Sequence, residues 1–216
     1  MKSQDIGLLL KLIALQRQES ERSHATPEKA WPHDWRDWEE EAAAQDPAVQ
    51  GELAIGPDHH SYYTARALEQ QTGISKSQIN LSLNRCIDIG LAKTDRKLGV
   101  PRANSKALFD FIVYGLKFVF PARTGEMTRG IATAFAAPIL QDKLLSAGEY
   151  PPVWPDARGN TKGLAVEPLF KTATYAAKKD PEMYALLALV DAIRLGHPRE
   201  SNLATALLKE RLGVTQ

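Results

Sequence analysis

Apolar residues near the start of the chain recur at helical spacing in two adjoining stripes. Ile6, Leu9, Leu10 and Ile13 form one, and Leu8, Leu12 and Leu15 form the other. So wide an arc predicts a helix, capped by Ser3 with Asp5 in its first turn, that buries more than one face. Two covers fit it. Either this is a central core helix, or it touches its own domain on one side and a second subunit on the other. Lys11 splits the run and Gln16-Arg17-Gln18-Glu19 ends it, so it is too short for a membrane span, and no small-residue cleavage site follows.

From Tyr62 the pattern changes to short helices with punctuation. Thr64 caps a helix over 65–71, and Gly73 ends it where a left-handed residue is wanted. Ser75 caps a second helix over 76–89, whose Ile79, Leu83, Cys86 and Ile87 fall on one side, and Gly90 closes it. Residues 91–95 read as a short strand and 96–102 as a basic turn. Asn104 or Ser105 caps a further helix, apolar nearly all round through Leu108, Phe109, Phe111, Ile112, Leu116 and Phe118, which ends at Phe120-Pro121.

A domain boundary is expected there, dividing 1–120 from 121–216. Pro138, Pro151, Pro152, Pro155 and Pro168 punctuate the following stretch. Val153-Trp154 and Leu164-Ala165-Val166, separated by the polar run 156–163, predict a β-hairpin. Helices over 181–195 and 200–212 complete an α-rich C-terminal half.

Composition adds two local features. The 216 residues carry a net charge of only +1, so local charge has to decide what the surface binds. The insertion at 23–60 is acidic: from Glu28 to Glu52 eight acidic residues face Lys29 and Arg36. Trp31, Trp35 and Trp38 lie within it, at the start of a helix that Asp34 is placed to cap, and such a stripe is more often core than ligand cage. From Ile74 to Arg102, by contrast, Lys76, Arg85, Lys93, Arg96, Lys97 and Arg102 oppose only Asp88 and Asp95, about +4.

The single cysteine, Cys86, excludes an intrachain disulfide and a cysteine-clustered zinc site, and suits a reducing, cytoplasmic setting. Asp58-His59-His60 lacks a helix to converge its side chains on a metal. No phosphate loop, nucleophile elbow or paired-histidine motif is present. Neither an enzyme nor a cofactor is expected.

Helix, glycine turn, helix, Gly-Leu and strand together look like a winged helix-turn-helix. Ile74-Ser75-Lys76-Ser77-Gln78-Ile79, followed by Cys86-Ile87-Asp88-Ile89-Gly90-Leu91, resembles the recognition-helix segment of MarR-type bacterial regulators. The resemblance covers about residues 61–104. Glu69 departs from it, standing where a small residue usually lets the two helices approach, so Glu69 is expected at an edge.

A helix that enters the major groove needs a core face and an opposite face of short polar and basic side chains. With Ile79, Leu83 and Cys86 inward, Ser77, Leu81, Asn84 and Arg85 point outward, flanked by Gln78 and Asn80. Ser75, Lys76 and the helix N-terminus suit a phosphate. Arg96, Lys97 and Arg102 would reach a flanking phosphate or the minor groove. The expectation is therefore a mainly α protein that binds duplex DNA sequence-specifically as a bacterial transcriptional regulator. A homodimer would read two half-sites ~34–36 Å apart. The alternative is a protein-interaction module, such as an antitoxin or phage-defence subunit, whose winged-helix scaffold contacts a protein partner.

Overall fold

The computed structural model describes residues 1–23, 35–39, 59–141, 143 and 150–214. Helix α1, Ser3–Ser23, has every residue from Asp5 to Leu15 buried. Its cover comes from the same chain. A Cβ on Gly7 would stand 2.4 Å from the Phe170 ring, and Lys11 donates to the Asp180 carboxylate at 2.7 Å. The face offered to a second subunit in the dimer expectation is thus already occupied, and α1 is the central core helix of the two readings.

Helix α2, Ala65–Thr72, and helix α3, Lys76–Asp88, form the expected pair. Thr64 Oγ1 accepts from the Ala67 N–H at 3.2 Å, and Gly73 takes the left-handed conformation (φ 69°) that ends α2. Strands β1, Ala92–Thr94, and β2, Pro101–Ala103, pair antiparallel with Lys93 opposite Arg102. Helix α4, Ser105–Tyr114, is capped by Asn104, whose side-chain oxygen accepts from Ala107 N–H at 3.2 Å. Gly115 separates it from a helical turn, α5, Leu116–Val119. Leu108, Phe109 and Ile112 are buried, but Tyr114 and Phe118 are not, so the apolar surface of this segment is only partly covered.

The second half adds strand β3, Thr124–Ala132, a helical turn α6, Pro138–Gln141, and strands β4, Pro152–Pro155, and β5, Thr161–Val166. Here the hairpin expectation is corrected. β4 and β5 run parallel, and both pair antiparallel with β3 to close a three-stranded barrel. So small a closure brings backbones nearly into contact. A Cβ on Gly130, Gly159 or Gly163 would fall 2.0, 2.0 and 1.9 Å from the carbonyl oxygens of Trp154, Gly130 and Pro151, so only glycine fits at the three crossings.

Helices α7, Ala173–Lys179, α8, Pro181–Leu195, and α9, Pro198–Arg211, follow. α8 is capped by Asp180 and ends at Gly196 in the left-handed region. It is buried from Glu182 to Arg194 and packs on α1 and α9. In its last third the fully buried Asp191 carboxylate accepts from Trp154 Nε1 (2.6 Å), Thr133 Oγ1 (3.0 Å) and Arg194 (2.6 Å). Burial pushes Asp191 above the usual carboxylate value, although Arg194 and the two other donors oppose it. Arg194 also donates to the carbonyls of Phe120 and Glu167, so this network pins the chain at Phe120-Pro121 to the barrel. One buried cluster contains residues from both sides of position 121.

The segment Trp35–Glu39 is extended rather than the start of a helix, and Trp38 bridges to Gly159. Asp37 explains the difference. Its carboxylate accepts from the Ala132 N–H (2.6 Å) and the Thr161 hydroxyl (2.9 Å), which ties the segment to the barrel. Trp38 is buried with its ring 5.9 Å from that of Tyr184 and 5.3 Å from that of Trp35, as core aromatics pack. Trp31, Asp34, most of the acidic insertion, Asp58 and the side chains of His59 and His60 lie outside the described residues.

Candidate nucleic-acid interface

α3 buries Ile79, Ser82 and Cys86 against the core and half-buries Leu83. Burial pushes the Cys86 thiol up to about 11, consistent with an unreactive core residue. On the opposite side Ser75, Lys76, Ser77, Asn80, Leu81 and Asn84 are exposed together, with Leu81 half open to solvent at 50%. Gln78 is half-buried at the rim, where its Oε1 accepts from Gln4 of α1 at 3.1 Å.

Arg85 leaves the expected outward set. Its guanidinium turns to α1 and grips the buried Asp5 carboxylate in a bidentate pair, Nε to Oδ2 at 3.0 Å and a terminal nitrogen to Oδ1 at 2.6 Å. Burial alone would raise Asp5, but the hydrogen bonds from Arg85 and the Lys2 backbone outweigh it and hold the carboxyl below its ordinary value. Arg102 leaves as well. It donates to the Tyr63 hydroxyl at 2.5 Å, lies over that ring, and pairs with Glu19 of α1 at 2.8 Å. Both arginines therefore hold α3 and β2 to α1, because a buried anion or aromatic of α1 or its neighbour competes better than solvent for a guanidinium.

The α3 N-terminus also differs from expectation. Ser75 makes no capping bond through its side chain. Instead the Glu69 carboxylate accepts from the Lys76 N–H at 3.2 Å. Glu69 does sit at an edge, and it supplies the negative charge that the helix dipole favours there. A phosphate at this end must then be met by Lys76 and the serine hydroxyls, not by the bare helix terminus.

The turn between β1 and β2 is organised by Asp95, whose Oδ1 accepts from the N–H groups of Lys97 (2.8 Å) and Leu98 (3.0 Å), with Gly99 at φ 65°. These backbone bonds hold the Asp95 carboxyl below its usual value. The turn presents Arg96 and Lys97 to solvent, and Lys93 is exposed on β1. Four cations thus face outward where the charge pattern counted six: Lys76, Lys93, Arg96 and Lys97. Ile87, expected on the core side with Ile79, Leu83 and Cys86, is instead exposed, because the last turn of α3 has the core on the Cys86 side only; Ile89 and Leu98 are exposed as well, each of the three at least 40%.

Among the described residues no group of three or more His, Cys, Asp or Glu side chains is placed to hold a metal ion, and no helix is long and apolar enough to cross a membrane. No family model, curated protein or solved structure matches the chain.

Proposed function

We propose that the protein binds duplex DNA sequence-specifically through a winged helix-turn-helix and regulates transcription. The observation that carries this reading is the row Lys76, Ser77, Asn80, Leu81 and Asn84, exposed together on α3 and accompanied by the Lys93, Arg96 and Lys97 cations of the adjacent hairpin. In the major groove Asn80 and Asn84 have the donor and acceptor that a bidentate contact to adenine needs, and Leu81 meets a thymine methyl. Ser75, Ser77 and Lys76 take phosphate oxygens at the groove edge, and Arg96 and Lys97 engage the flanking backbone or minor groove. Each chain presents one such surface. A two-fold pair of chains would join through a surface other than α1.

A second reading, docking to a protein partner, is favoured by the exposed Leu81, Ile87, Ile89 and Leu98 and by the Glu69 carboxylate beside Lys76. Fluorescence anisotropy on labelled duplex separates the two. With about four phosphates neutralised by α3 and the hairpin, these contacts alone are expected to give log affinity against log salt a slope of roughly −3.6. Absence of duplex binding at low salt would favour the protein partner.

A further inference from the structure

The second half of the chain reaches the helix-turn-helix directly. The Tyr175 hydroxyl of α7 donates to the Gln70 carbonyl near the end of α2 at 2.8 Å. A Cβ on Gly73, in the turn between α2 and α3, would stand 3.0 Å from Thr172 and 3.1 Å from the Tyr175 ring. α7 is thus seated against the turn that leads into Lys76. The segment around these two contacts is cationic. From Pro168 to Lys179 the sequence carries Lys171, Lys178 and Lys179 and no acidic residue. Lys178 is taken up by Asp156 at 2.7 Å, whereas Lys171 and Lys179 are exposed. Lys179 lies over the Tyr175 ring at 5.6 Å, and Tyr175 is 41% exposed.

We infer that Lys171 and Lys179 of the second half form a second backbone-contact ridge for the same duplex, engaging phosphates beyond the edge of the groove that α3 enters. This inference rests on the DNA-binding reading above. The chemistry is that of phosphate positioning without base readout, from one ammonium group just before α7 and one at its last residue. α7 packs on α2 and the turn that follows it, while Arg96 and Lys97 belong to the hairpin that follows α3. The two cationic features would then grip the duplex on either side of the reading helix. The second half thereby has a role in DNA binding and not only in covering α1.

The test compares the full-length wild type with a Lys171→Gln/Lys179→Gln variant in salt-dependent anisotropy, with base preference measured in parallel. With the ridge engaged the wild-type slope is expected to be roughly −5.4, steeper than the roughly −3.6 of α3 and the hairpin alone, and loss of two phosphate contacts is expected to reduce its magnitude by about 1.8 while leaving the preferred sequence unchanged. A second arm uses Lys171→Cys carrying an iron–EDTA cleavage reagent. Cys86 is fully buried, so the new thiol is the one that reacts, and the wild type treated alike is the control. Cuts are expected on one side of the protected site, next to it. A wild type that binds with an unchanged slope in the double variant, or tethered cleavage with no positional bias, overturns the ridge and leaves the DNA-binding reading standing. A wild type that binds no duplex at low salt overturns both.

Discussion

Replacing Lys11 by alanine is expected to destabilise the protein by about 3–5 kcal/mol, the usual cost of removing one partner from a buried ion pair. Lys11 is 3% exposed and its ammonium lies 2.7 Å from Asp180. Asp180 is itself 4% exposed, and its other oxygen caps α8 by accepting from the Glu182 N–H at 2.9 Å. Truncation leaves that carboxylate buried with only the cap to satisfy it, and removes an alkyl stem from the interior. The companion change Lys11→Met/Asp180→Ser restores apolar volume and keeps a capping hydroxyl, so it should recover most of the loss. Chemical denaturation of the three proteins measures this. A loss below about 1 kcal/mol for Lys11→Ala would show that the pair does not hold α1 to the start of α8.

The second large effect concerns α1 itself. Leu12→Asp is expected to abolish the cooperative fold, since removing a buried leucine costs about 2–5 kcal/mol before any charge is considered, and burying an unpaired carboxylate adds several more. Leu8 and Leu12 are both fully buried within one chain. The dimer reading of the sequence gives the opposite result, a folded helical monomer. Far-ultraviolet circular dichroism with sedimentation distinguishes them. A Leu12→Asp protein that keeps its helix content and a cooperative melt would mean that this face of α1 meets a partner.

Where sequence reading succeeded, the information was local. Thr64 and Gly73 delimit α2 by capping and left-handed geometry, which requires no knowledge of distant neighbours. Where it failed, the deciding contact was remote. Arg85 and Arg102 have the composition of phosphate ligands, yet their partners Asp5, Tyr63 and Glu19 lie far away in sequence. A signal did exist: Asp5 and Lys11 are charges inside an otherwise apolar helix, and buried charges require partners. β3 gives no strand signal because its first six residues, Gly125, Glu126 and Arg129 among them, are largely exposed and show no alternation. Without β3 the neighbouring strands look like a hairpin. Their parallel order depends on close backbone approaches at Gly130, Gly159 and Gly163 that no periodicity announces.

The candidate surface was legible in α3 and in the tip of the hairpin, because helical spacing alone separates Ile79 and Cys86 from Asn80, Leu81 and Asn84. Its electrostatics were less so, since Glu69, Asp5 and Glu19 redistribute the charge that the sequence presents as one basic run.

Selection of bound duplexes from a random pool tests the central claim most directly, carried out with the wild type and with an Asn80→Ala/Asn84→Ala variant. The wild type should enrich one motif. The variant should still bind but lose preference at the contacted positions, each contact being worth about 1–3 kcal/mol. Failure of the wild type to enrich any motif, or enrichment of the same motif at the same strength by the variant, would contradict base reading by α3.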